Sequence, residues 1–86
     1  MKNKKTIESE IASALQEIGY DLKDIPPYAM GPGYILLGVD DNDEGEADHT
    51  IQELRFHLPA GATVEWTGNS DTNGDGFTTS DCEITW

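Results

Sequence analysis

Asp40, Asp41, Asp43, Glu44, Glu46 and Asp48 place six carboxylates within nine positions. Like charges this close repel, so the stretch should be extended and solvated unless a cation or a basic surface covers it. Two chemistries suit such a segment: oxygen ligation of a hard metal ion, or pairing with the lysines and arginines of another protein. The metal chemistry has a second candidate further along. Asp71-Thr72-Asn73-Gly74-Asp75-Gly76 carries oxygen ligands at positions 1, 3 and 5 and glycine at position 6 of a calcium loop. Asp40, Asn42, Glu44 and Gly45 repeat the spacing more loosely. Position 12, which should close the site with a carboxylate, is Cys82 in one loop and Ile51 in the other, with Asp81 and Glu83 flanking the required place. Hairpin turns use the same Asn, Asp and Gly residues for backbone reasons alone.

Catalytic chemistry has less to work with. His49 and His57 are the two imidazoles and Cys82 the one thiol. Cys82 alternates with Ile84 and Trp86, which makes it a small core residue rather than a nucleophile. No nucleophile elbow, His-Glu-x-x-His helix, phosphate-cradling glycine loop or Cys-x-x-Cys pair occurs. Carboxylates are so plentiful that any two could form an acid/base pair, so their presence does not discriminate. An enzyme is not expected, nor any cofactor other than calcium.

Composition sharpens the choice. The 86 residues hold 17 Asp and Glu against 5 Lys and Arg, a net charge of −12. Three of the basic residues are Lys2, Lys4 and Lys5, which leaves Lys23 and Arg55 to face all 17 carboxylates from Thr6 onward. A main surface that grips nucleic acid or an anionic membrane through its phosphates is excluded. No apolar run of bilayer length occurs, and no apolar stretch follows the charged start, so neither a membrane span nor a secretory signal is expected. One cysteine makes no internal disulfide, which fits a reducing, cytoplasmic setting.

The elements that must position these groups follow from periodicity. Ile7, Ile11, Leu15 and Ile18 form a helical stripe, with Thr6 as its cap and Gly19 as its stop. Pro26-Pro27 and Gly31-Pro32-Gly33 break the chain, and Tyr34–Val39 reads as a covered strand. Residues 40–50 read as loop. From 51 to 58, Leu54, Phe56 and Leu58 alternate with Glu53, Arg55 and His57; residues 62–67 and 81–86 alternate likewise. The expected fold is α+β, one N-terminal helix packed on a four-stranded antiparallel β-meander, in one small acidic domain spanning 1–86 with a disordered basic start at 1–5. The final strand is expected to be an edge open to pairing with a second copy, giving a monomer or a homodimer. Trp66 and Trp86 fall on the core side, whereas Tyr28, Met30 and Tyr34 offer either an apolar contact surface or a cover for the sheet edge.

On the wet face, Glu53, Glu65, Asp81 and Glu83 would line up as a ridge, with the 40–48 carboxylates at one end. That charge exceeds what solubility needs and costs stability through self-repulsion, which argues for use. In size and charge the chain is similar to the phage and mobile-element proteins that block restriction or CRISPR nucleases. The resemblance implies a nucleic-acid charge mimic, an inhibitor occupying a basic, nucleic-acid-binding surface of a partner protein. An immunity or antitoxin protein blocking a basic toxin would need the same face. Residues 71–81 separately resemble the calcium loop of dockerin modules, which implies calcium binding through Asp71, Asn73 and Asp75.

Overall fold

The computed structural model describes residues 4–86. Helix α1 (Lys4–Glu17) is followed by strands β1 (Ala29–Gly31) and β2 (Tyr34–Asp40), helix α2 (Glu46–His57), and strands β3 (Thr63–Thr72) and β4 (Thr78–Thr85). The fold is α+β with a four-stranded antiparallel sheet, but the single helix and the meander are both corrected. There are two helices, and the strand order is β1-β2-β4-β3. Met1, Lys2 and Asn3, part of the start expected to be disordered, lie outside the described residues. Lys4 and Lys5 belong to α1, which therefore begins before Thr6, the residue expected to cap it.

The second helix replaces the strand expected at 51–58. Ala47, Ile51 and Leu54 are buried and Leu58 packs against them, a spacing of 4, 3 and 4 that only a helix brings to one side. The alternating pattern shared Leu54 and Leu58 with this stripe, and its third member, Phe56, is 85% exposed. Charge supports the helix as well. Glu46 and Asp48 lie in its first turn and Arg55 and His57 in its last, each sign at the favourable end of the helix dipole.

Inserting α2 changes the topology. β2 and β3 both run antiparallel to β4, so they are parallel to each other, and α2 is the crossover that joins them. β4 then fills the gap between them. The final strand is thus central and has no free edge. The edges are β1, only three residues long, and β3. Arg55 Nη2 donates to the Val64 carbonyl of β3 at 3.3 Å, and a bulge interrupts the same strand, two devices that discourage edge pairing.

Both helices cover one face. Ile35, Leu37 and Val39 of β2, Cys82 and Ile84 of β4, and Val64 of β3 meet Ile11, Ala14 and Leu15 of α1 and Ala47, Ile51 and Leu54 of α2. Among the described residues, no polar or charged side chain is buried in this core. Trp86 packs against it, whereas Trp66 does not enter and stays 37% exposed. No helix among the described residues is long and apolar enough to cross a membrane.

Candidate functional site

Strand alternation sends the other side chains to the uncovered face. Asp40 of β2, Glu65 of β3, and Asp81 and Glu83 of β4 project there, out of phase with the buried residues beside them, and Asp71 of β3, opposite Thr79, shares the phase of Asp81. The four strands contain no lysine, arginine or histidine. Glu65 and Glu83 are direct partners in the β3–β4 ladder, both exposed. Like charges opposite each other in a sheet destabilise it. Asp81 is half-buried, and its Oδ1 is shielded from solvent without a hydrogen-bond partner among the described residues. Among the described residues, no hydrogen bond or ion pair engages the side-chain carboxylates of Glu65, Asp81 or Glu83.

Glu53, expected in the same ridge, is elsewhere. It lies on α2, where its Oε1 pairs with His49 Nε2 at 3.1 Å one turn away. Arg55 and His57, read as wet-face strand residues, also lie on that helix.

The 40–48 stretch proves ordered rather than extended. Glu46 Oε1 accepts the Asn42 backbone N–H at 2.8 Å, and Asn42 Oδ1 accepts that of Thr78 at 2.7 Å. Asp41 Oδ2 accepts from the Ser80 hydroxyl at 2.5 Å. These bonds tie the start of α2 to the start of β4. Asp43, Glu44 and Asp48 remain exposed.

Where α2 begins, the bulge in β3 opens a cleft of ≈ 270 Å³ bounded by Asp41, Asp48, Trp66, Asn69, Ser80 and Asp81. The ladder passes from Trp66–Cys82 to Ser70–Ser80, four steps on β3 against two on β4. Gly68 takes the positive φ of 91° inside the bulge, which few other residues tolerate. The bulge explains why Trp66, in phase with the core, ends on the rim of a cleft instead.

The calcium-loop residues are distributed along a hairpin. Asp71 pairs with Thr79 in the ladder, and Asn73 begins the tip. Asn73 Oδ1 accepts the N–H groups of Asp75 at 2.9 Å and Phe77 at 3.0 Å, the local bonding that makes asparagine a turn residue. Among the described residues, no three Asp, Glu, His or Cys side chains are grouped to hold a metal ion.

The chain matches no family model, no curated protein and no solved structure. Cys82 is fully buried, and burial, with Asp81 adding to it, pushes its thiol up to about 12. It stays neutral and shielded at ordinary pH.

Proposed function

We propose that this chain is a binding protein whose uncovered, acidic sheet face occupies the basic, nucleic-acid-binding surface of a partner protein. The observation that carries the reading is the Glu65–Glu83 pair, like charges held directly opposite on a face whose strands contain no cation. A fold that needed charge only for solubility has no reason to oppose them. Rows of the face repeat about 6.8 Å along each strand and about 4.8 Å between strands, so the carboxylates form a two-dimensional array rather than a scattered excess. Such an array steers a basic partner toward it and makes association fast and salt-sensitive. The role is occupation rather than catalysis. Nuclease inhibition and toxin neutralisation use the same contact and differ in the partner.

The test is capture from nuclease-treated native-host lysate at about 0.15 M salt, followed by salt-step elution and mass spectrometry. A nucleic-acid-binding protein should elute and should be missing when the bait carries Glu65→Lys with Glu83→Lys. Capture that survives the reversal, or a captured partner without a basic surface, would overturn the reading.

A further inference from the structure

We propose that the uncovered face selects arginine over positive charge in general, through two tyrosine rings set beside its carboxylates. This rests on the reading of that face as the contact for a basic partner, and it names the side chain the partner must supply. Tyr34 lies across Gly31, its in-register neighbour on β1; a Cβ on Gly31 would fall 2.6 Å from the Tyr34 ring. Tyr28 lies across Gly38 of β2 in the same manner, where a Cβ would fall 2.5 Å from its hydroxyl oxygen. That hydroxyl is also 3.4 Å from Thr79 Oγ1 on β4. Glycine at both positions lets a ring rest against the sheet, and any larger residue would lift it.

The rings remain open on their outer side, with Tyr28 55% and Tyr34 38% exposed. Leu36 lies between them on β2, half-buried. The carboxylates are immediate neighbours: Gly38 pairs with Asp81, Leu36 with Glu83, and Glu83 with Glu65. The Tyr28 ring, over Gly38, has Asp81 one strand away and Asp40 one row along β2. The Tyr34 ring, over Gly31, has Glu83 one row further on and two strands across, within the reach of a long arginine side chain. A planar guanidinium stacks on an aromatic face while its N–H fork pairs with a carboxylate, whereas a lysine ammonium is a compact, strongly hydrated point charge that gains less from the ring. The two glycine-seated rings are separated by four residues of β2, about 13 Å. Arginines four apart on an extended segment match that distance. A second copy of this chain is a poor occupant, because it would set Glu65 and Glu83 against their own like.

The experiment titrates the full chain with nona-arginine and with nona-lysine at about 0.15 M salt, following backbone amides by NMR and affinity by calorimetry. Nona-arginine should bind saturably, with shifts centred on residues 28–38, 63–66 and 81–85, and about fivefold more tightly than nona-lysine. Tyr28→Leu with Tyr34→Leu should abolish that preference while leaving the nona-lysine affinity within about twofold. Tyr28→Phe with Tyr34→Phe, which keeps both rings, should retain it. Urea unfolding of each variant shows whether the fold is intact, and the Phe pair keeps the test valid if the Leu pair does not fold. Equal affinity for the two peptides, or a footprint on residues 40–48, would overturn the arginine proposal and leave the basic-partner reading standing. Concentration-dependent self-association with the same footprint, seen without peptide, would replace the occupant with a second copy. Saturable binding of neither peptide would remove both readings.

Discussion

Asp41 and Glu46 use their charge inside the fold, while Glu65 and Glu83 face one another with nothing between them to neutralise. Residues 40–48 are the denser in carboxylates, yet the decisive difference between the two regions is what surrounds them. In residues 40–48, a serine hydroxyl and a backbone N–H receive two of the charges, and the dipole of α2 favours Glu46 and Asp48 in its first turn. On the sheet face, the side chains of Glu65 and Glu83 receive no hydrogen bond from any of the described residues. An acidic run beside a helix start is therefore partly a structural device, whereas acidic residues in phase on an uncovered sheet receive no such local compensation.

The strongest effect belongs to the sheet face. Glu65→Lys with Glu83→Lys should lower partner affinity by about 100-fold, the range for charges central to a complementary interface. Asp43→Lys with Glu44→Lys should lower it by about threefold, as rim charges do. Equal losses in a binding titration would return the acidic loop to the centre of the contact.

The covered face supplies the next largest effect. The Cys82 thiol is held up to about 12 in the folded protein against a reference value of 9.0. Below that reference the thiol is neutral in both states and adds no pH dependence. Above it the unfolded chain loses the proton first, so stability should fall as pH rises toward the folded value. Near pH 10.5 the loss should be about 2 kcal/mol relative to pH 8. Urea unfolding measures it, and Cys82→Ala should remove that part of the slope. Burial also raises the Tyr20 phenol, so a residual slope of the same sign should survive in the variant.

Two smaller effects should have opposite signs. Glu46→Ala removes the acceptor for the Asn42 N–H and a favourable charge at the start of α2, and should destabilise the fold by about 1 kcal/mol. Glu83→Gln relieves the like-charge pair with Glu65 and should stabilise it by about 0.5 kcal/mol. Chemical denaturation of the two variants checks both. A stabilising Glu46→Ala or a destabilising Glu83→Gln would mean that the two regions do not divide the charge in this way.

Several of these elements were legible from spacing. The stripe of Ile7, Ile11 and Leu15 marks α1, the run from Tyr34 to Val39 marks β2, and alternation places Glu65, Asp81 and Glu83 on one face and Cys82 in the core. The segment from Ile51 to Leu58 was not legible by alternation, because Leu54 and Leu58 fit periods of both 2 and 3.6. Adding Ala47 to the pattern, with acidic residues at its start and basic ones at its end, would have resolved it. Glu53 was misplaced by the same ambiguity, since a helix carries it away from the strands.

The amino-acid sequence by itself determined that the surface is acidic, that one face of a helix and alternate strand positions must be buried, and that Asn73 belongs to a turn. Charge, hydropathy period and turn preference are local properties, and each is read within a few residues. Tertiary structure alone decided that β4 lies between β2 and β3, that Glu65 meets Glu83, and that two tyrosines rest on glycines beside them. The tyrosines and their glycines are close in the chain, but the pairings of β4 with β2 and β3 join residues far apart. They depend on where the α2 crossover delivers β3 and on how the bulge sets its register, which no local pattern records.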